Sequence, residues 1–369
     1  MIFLNQRKKA FSKLGEYLIL IVESQTKKIS AEVISKKISL NDSNRFQEAH
    51  KLIQEYIDSS TRHNPWFTQE FLLSAIKAIG ESLFTENLNI WLNKYENSID
   101  HRERKTIGVV MAGNLPLVGF HDYLTILISG NSICAKLSHD DNKLLPLLNE
   151  ILIAIEPEFD GMVTFTQEKL TDFDAIIATG SDNTARYFEY YFGKYPNIIR
   201  KNRNGVAVLN GNETTAELEG LADDIFMYFG LGCRSVSKLF IPKGYDFKEL
   251  FSSFKKYHYL EHHSKYANNY DYNKAVFLVN KIKFIDNGFV LLKEDLSFSS
   301  PISVLYFEYY DRIEDLTKWI ETQKDKIQCL LSNKTIGDIE CLPLGKAQQP
   351  DLWDYADGID TLQFILSLK

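Results

Sequence analysis

KTIGVVMAGNLPLVGFHDYLTILISGNSICAKLS, Lys105 to Ser138, decides the fold. Its first part, KTIGVVMAGN, has the look of a short buried strand ending at Gly113-Asn114. LPLVGFHDYLTILISG continues with helical periodicity, and NSICAKLS is a second strand ending at Lys136-Leu137-Ser138. The alternation persists downstream. DDNKLLPLLNEILIAIEPEF is a helix, GMVTFTQ a strand, FDAIIATGS a strand ending at Thr179-Gly180-Ser181, and DNTARYFEYYFGKY a helix. Strands alternating with helices of this length predict an α/β fold with a parallel sheet and right-handed crossovers. In such sheets ligands sit outside the carboxyl ends of the strands. No GxGxxG fingerprint occurs, so the ordinary dinucleotide motif is absent.

Upstream, residues 1–100 read as helices. Thr68–Tyr95 places Phe71, Leu72, Ala75, Ile76 and Ile79 at helical spacing. The apolar patch Tyr17–Val22 is short and flanked by Glu16 and Glu23, which predicts an amphipathic helix rather than a signal or anchor. No run of 18 apolar residues occurs, so no membrane span is expected. Downstream, TTAELEGLADDIFMYFGLG is a helix leading into a cysteine turn, GLGCRS, and SVSKLFIP is the strand that follows. Further α/β alternation runs to about residue 330, and the tail is turn-rich, then apolar.

The chain has 369 residues, 44% hydrophobic and 25% charged, an ordinary globular composition. Its net charge of −7 argues against a sequence-independent nucleic-acid binder. The four cysteines, Cys134, Cys233, Cys329 and Cys341, show no CxxC or metal-type spacing. They predict reduced thiols in a cytoplasmic protein, and no metal site.

Cys233 lies between Gly232 and Arg234 in a turn fed by a helix. A nucleophilic cysteine must be reachable and ionised, and a neighbouring cation favours the thiolate; the competing reading is a buried packing cysteine. Asn114 ends a strand, where its amide could donate to an oxyanion or simply cap a helix. Lys136 could bond a ribose or a 2′-phosphate, or remain a solvated lysine. Ser181 stands where a strand turns into a helix whose first amides attract phosphate, or else Ser181 or Asp182 just caps that helix. His258, His262 and His263 offer an i, i+4 metal pair without an accompanying carboxylate motif, which favours a solvated face. His121-Asp122 is a candidate for assisting Cys233.

Taken in order, GNLP, AKLS, ATGS and the cysteine turn resemble the aldehyde dehydrogenase superfamily, whose usual run is WNFP, KPS, TGS, a glutamate in ELGG, and a cysteine after a glycine. Asn114 matches the oxyanion asparagine. Lys136 matches the cofactor-ribose lysine, with Ser138 closing the same run. Thr179, Gly180 and Ser181 match the TGS turn, and Cys233 the nucleophile. The glutamate is missing: aligning GVAVL (205–209) with the strand after ELGG puts Arg200 or Lys201 in its place. AGNLPLVG, ATGSDNTAR, GLGCRS and DGIDTLQFIL are similar to the LuxC-type acyl-CoA reductase family, over about residues 65–369.

The resemblance implies an aldehyde dehydrogenase-like α/β fold in four parts. These are an N-terminal helical region at 1–100, a Rossmann-like nucleotide-binding domain at 101–213, a catalytic domain carrying the cysteine at 214–335, and a segment at 336–369 returning to the cofactor and oligomerisation region. It implies NADPH-dependent reduction of an acyl-CoA, fatty in the family, through a thioester on Cys233. Glu294 is matched to a glutamate that binds the nicotinamide ribose, against the plainer reading of a surface acid. Other activated acyl groups, such as an acyl phosphate, and a non-redox acyl-carrying subunit are the alternatives. A homodimer or acyl-transfer partner proteins are the associations implied.

Overall fold

The structure, a computed structural model, describes residues 2–27, 29–100 and 103–368. It divides into two compact units, Met1–Lys201 with Asp351–Lys369, and Asn202–Pro350.

The first unit begins with helices α1 (Leu4–Ser24), α2 (Ala31–Ile38), α3 (Ser43–His63), α4 (Gln69–Ser82), α5 (Thr85–Leu92) and α6 (Glu96–Ile99). In α1, Phe11, Leu14, Tyr17, Leu18 and Ile21 form one fully buried face, as their spacing dictates. Gly15 lets α1 meet α4 closely: a Cβ there would lie 2.9 Å from the Gly80 carbonyl oxygen. The periodic stretch Thr68–Tyr95 is broken at Leu83-Phe84, which separates α4 from α5.

The sheet of this unit contains β1 (Thr106–Val110), β2 (Ser132–Lys136), β3 (Val163–Thr166), β4 (Ala175–Thr179) and β5 (Asn197–Arg200). Its order is β3-β2-β1-β4-β5, and every pairing is parallel. Helices α7 (Phe120–Ile128), α8 (Leu144–Ile155) and α9 (Asp182–Phe192) make crossovers. The chain steps outward from β1 to β3, then returns to the other side of β1 with β4 and β5. The strand order therefore reverses between β1 and β4, the place where such sheets bind ligands. The short strand β5 is an addition to the sequence reading; its four residues follow a helix too closely to show their own periodicity.

The C-terminal segment completes this unit. Trp91 Nε1 donates to the Tyr355 hydroxyl at 2.7 Å, and Lys94 Nζ pairs with Asp360 at 2.9 Å. The last helix, Thr361–Ser367, buries Leu362, Ile365 and Leu366.

The second unit carries β6 (Asn204–Val208), β7 (Val236–Pro242), β8 (Ile285–Asp286), β9 (Leu291–Glu294), β10 (Val304–Tyr310) and β11 (Ile327–Leu331). Its order is β11-β6-β7-β10-β9-β8, parallel except at β8–β9. Helices α10 (Thr215–Phe226), α11 (Phe247–Ser253), α12 (Ser264–Val279) and α13 (Ile313–Thr322) belong to it. The boundary anticipated at residue 213 falls earlier, after Lys201, because β6 pairs with β7 and β11 rather than with β5. The anticipated boundary at residue 101 lies outside the described residues. At the other end, the second unit continues to Pro350 instead of stopping at 335, because Leu342 pairs with the end of β11.

Among the described residues, no helix is long and apolar enough to cross a membrane.

Candidate active site

Register brings the ends of three strands level in the first unit. Val110 of β1 stands beside Lys136 of β2 and Ala178 of β4. Asn114, Lys136, Ser138 and Thr179–Ser181 are thus gathered at the carboxyl edge of one sheet, and β1 and β4 flank its switch point.

Asn114 is exposed in the turn that follows β1. It does not cap the next helix, whose N-cap is Gly119. The intervening turn is unusual. Leu117 is buried at φ 58, a left-handed conformation that costs a non-glycine residue about 1–2 kcal/mol. Its N–H donates to Asp141 Oδ2 at 2.7 Å. Gly113 packs on the turn after β2, where a Cβ would lie 2.4 Å from Ser138 Oγ. Glycine is the residue that this approach admits.

Lys136 is the partly buried last residue of β2, and among the described residues its ammonium makes no ion pair. Ser138 Oγ accepts the Asp140 N–H at 3.3 Å. Thr179 closes β4, and Gly180 leads into α9. Ser181 caps α9, its Oγ accepting the Thr184 N–H at 3.3 Å. The hydroxyl therefore serves the helix, as the plainer reading anticipates, and Thr184 Cβ and Phe188 crowd Gly180 at 3.0 Å from where a Cβ would sit.

Arg200, one of the two residues in the glutamate's place, ends β5 opposite Thr179. It is buried, and its guanidinium holds Asp122 in a two-pronged ion pair, Nη1 to Oδ2 at 2.6 Å and Nη2 to Oδ1 at 2.8 Å. Nη2 also donates to Thr361 Oγ1 at 3.1 Å. The pairing depends on a rigid planar fork meeting a carboxylate. Lys201 pairs with Glu189 at 2.8 Å. Asp122 is thereby committed inside the first unit. So is His121, whose Nε2 lies 2.9 Å from the Leu352 carbonyl oxygen and whose pKa burial lowers. These bonds give His121 and Asp122 partners of their own within the first unit.

In the second unit, Cys233 is exposed in the turn before β7. Cys329 is buried, while Cys134 and Cys341 are partly buried with thiol pKa values raised by burial. Exposure removes the packing reading for Cys233. The approach to its turn is strained: Tyr228 (φ 54) and Phe229 (φ 58) are both left-handed, followed by Gly230 at φ 73. Each of the two aromatic residues costs about 1–3 kcal/mol in that conformation. They are buried, and the Phe229 ring stands 4.4 Å from His263.

The turn is also clamped. Gly232 N–H donates to Ser235 Oγ at 3.3 Å, and Ser235 N–H returns to the Gly232 carbonyl at 3.0 Å. Arg234 Nε donates to the Ala347 carbonyl at 2.5 Å. Asp224, fully buried on α10, accepts the N–H groups of Gly345 at 2.5 Å and Ala347 at 2.9 Å. Burial raises its pKa to about 7, against the pull of those two bonds. Gly205 of β6 allows the turn to lie close, since a Cβ there would meet the Arg234 carbonyl oxygen at 2.5 Å. Arg234 is therefore a strut of this clamp as well as the cation next to the thiol in sequence.

Glu294 is exposed at the end of β9. It pairs with Phe307, which pairs with Leu239. This is three residues into β7, roughly 10 Å along the strand from its start and two strands away. The second unit does not bring Glu294 to the Cys233 turn. His258 and His262 both face Glu261, at 3.2 and 3.4 Å, and His263 caps α12 by accepting the Tyr266 N–H at 3.3 Å. Among the described residues, no group of histidine, cysteine, aspartate or glutamate side chains could hold a metal.

Asp141 and Asp224 are the functional candidates that sequence reasoning misses. Asp141 follows another aspartate in SHDDNK, and Asp224 follows Asp223 in a helix, so both resemble surface acids. Neither flanking pattern marks them as buried.

Comparison with known proteins follows from this geometry. Residues 18–330 match the family Acyl-CoA reductase (LuxC). No curated protein matches the sequence. Among solved structures, the NAD-dependent aldehyde dehydrogenase from Sinorhizobium meliloti aligns with TM-score 0.60 and 10% identity, covering 90% of this chain and 71% of that one. Aldehyde dehydrogenase 21 from Physcomitrella patens, in complex with the reaction product succinate, gives TM-score 0.57 and 12% identity over 89% and 74% of the two chains. A mutant of the propionaldehyde dehydrogenase from the Clostridium phytofermentans fucose utilisation bacterial microcompartment gives 0.54 and 11% over 91% and 80%. These likenesses show an aldehyde dehydrogenase-like fold. With its family matched over most of its length, the chain belongs to the LuxC acyl-CoA reductase family, oxidoreductases that act on an aldehyde or acyl group.

Proposed function

We propose that the protein reduces an acyl-CoA thioester to the aldehyde with NADPH, by way of a thioester on Cys233. One observation carries the reading: the cysteine is exposed in a clamped turn, while of the two residues aligned with the glutamate, Arg200 is locked in a buried ion pair and Lys201 pairs with Glu189. A glutamate there would activate water against an acyl-enzyme. An arginine paired with Asp122 has neither the basicity nor the freedom to do so. Hydrolysis is then slow, and the acyl group persists on sulfur.

The Cys233 thiolate attacks the acyl carbonyl, forming a carbon–sulfur bond. Asn114 donates to the oxygen as it gains negative charge. The tetrahedral centre collapses, its bond to the CoA sulfur breaks, and CoA departs as a thiolate that takes up a proton. The reduced nicotinamide, when bound, supplies the hydride for the second half-reaction. On the protein's side, the hemithioacetal left on Cys233 would carry a proton on its oxygen, and loss of the Cys233 thiolate with that proton would release the aldehyde. A solved indole-3-acetaldehyde dehydrogenase of similar fold is complexed with NAD+ (TM-score 0.51, 12% identity).

The carboxyl edge of the first sheet fits a dinucleotide. α9 starts directly after Gly180-Ser181, and the amides at a helix start that its cap leaves unused suit a pyrophosphate. Lys136, a partly buried residue, offers its ammonium to a ribose hydroxyl or a 2′-phosphate, and Ser138 follows it closely in the chain. Glu294 is the remaining candidate for the nicotinamide ribose, and its exposure makes it the weakest member of the set. The test is steady-state oxidation of NADPH and NADH with acyl-CoAs of graded length. Consumption of NADPH that requires acyl-CoA and yields aldehyde supports the reading. Activity with acyl phosphates and none with acyl-CoAs contradicts it.

A further inference from the structure

Two contacts bracket Asn114, and both are made by the same neighbouring turn. Before it, Gly113 lies against Ser138, and a Cβ on Gly113 would also come within 3.3 Å of the Asp141 amide nitrogen. After it, Leu117 gives its N–H to Asp141 Oδ2 at 2.7 Å. The Ser138–Asp141 turn is itself closed, with the Asp141 N–H donating to the Ser138 carbonyl at 3.3 Å and the Asp140 N–H to Ser138 Oγ at 3.3 Å.

Asp141 is 8% exposed, and among the described residues it makes no ion pair. A buried carboxylate without a cation is costly unless hydrogen bonds satisfy it. Burial pushes its pKa up to about 6 against the opposing pull of the Leu117 N–H. The bond it accepts comes from a residue that is itself held at φ 58. The carboxylate thus balances a backbone shape that the leucine resists.

We propose that Asp141 is a positioning residue: by accepting the Leu117 N–H it fixes the Gly113–Leu117 turn and with it the direction of the Asn114 amide at the carboxyl edge of the sheet. The proposal rests on the reading of Asn114 as the oxyanion donor. Misplacing a catalytic group by about 1 Å costs on the order of a hundredfold in rate. A loosened Gly113–Leu117 turn acts on acylation of Cys233, whereas the bond that closes the Ser138 turn comes from the Asp141 main-chain N–H and survives a side-chain substitution, which leaves cofactor affinity alone.

The experiment measures single-turnover acylation of the full-length protein by acyl-CoA in five forms: wild type, Asp141→Leu, Asp141→Asn, Asn114→Ala and the Asn114→Ala/Asp141→Leu double variant. Asn retains an acceptor oxygen for the Leu117 N–H; Leu has none. D141L is expected to slow acylation about tenfold or more, with the dissociation constant for NADPH within about twofold of wild type. D141N is expected to recover most of the rate, and the double variant to be no slower than N114A alone. If D141L does not fold, Asp141→Ala carries the same comparisons. D141L at the wild-type rate beside a slow N114A overturns the positioning role and leaves the oxyanion reading standing. D141N as slow as D141L also overturns it. N114A at the wild-type rate removes the oxyanion reading, and this proposal with it.

Discussion

Asn114 and Cys233 carry the proposed chemistry, and each is displayed by backbone that resists its own shape. Leu117 follows Asn114 at φ 58, and Tyr228 and Phe229 precede Cys233 at φ 54 and 58. Strain of this kind persists where surrounding bonds over-determine it. For Asn114→Ala, loss of an oxyanion donor predicts a fall in turnover of about a hundredfold or more, with the melting temperature little changed because the side chain is exposed. Steady-state kinetics checks this; a fall below about threefold would leave Asn114 with no part in the oxyanion. Both residues stand out in the sequence as candidates, because a strand end followed by proline and a cysteine between glycine and arginine are local patterns. Asp141 and Asp224 do not. Their burial is decided by residues such as Leu117 and Ala347, which are remote in sequence.

At the scale of elements, the strand–helix alternation from Lys105 to Tyr195 predicts the first sheet because each strand is a short apolar run between turns. The sequence-derived strands β1 to β4 correspond to the structure; β5 escaped, being four residues with half its side chains partly exposed. The start of α7 also moved, since Pro116 sits in a turn and the helix begins at Phe120. In the second unit, the element to probe is the clamp between α10 and the 343–348 loop. Asp224 is raised to about 7 by burial, well above the ordinary carboxyl value of 3.8. The folded state therefore holds the proton more tightly than the unfolded state. The stability contributed by this group is full below its ordinary pKa and is lost as pH rises through about 7. Asp224→Asn, which does not titrate, is expected to flatten this dependence. Melting curves of both proteins from about pH 4 to about pH 8 should converge or cross as pH changes; curves that stay parallel would place the Asp224 pKa near its ordinary value.

The whole molecule shows where sequence periodicity stops being informative. It marks strands and helices but not which sheet a strand joins, so β6, adjacent in sequence to β5, belongs to the other unit. The return of Asp351–Lys369 to the first unit is likewise a long-range event, fixed by Tyr355 against Trp91 and Thr361 against Arg200. The two units contribute different parts of the proposed reaction: the first offers Asn114 and the dinucleotide edge, the second the Cys233 thiol. The proposal that joins them is a thioester on Cys233 that water does not promptly remove, because the sequence aligns Arg200 or Lys201, and no carboxylate, with the glutamate that activates water in the superfamily.

The measurement that tests this claim most directly is intact mass spectrometry of the protein mixed with acyl-CoAs of several chain lengths, without NADPH. A Cys233 thioester gives a stable adduct of the acyl mass, mapped to Cys233, absent in Cys233→Ala, and discharged when NADPH is added. No adduct from any acyl-CoA, or an adduct that persists in Cys233→Ala, would contradict it.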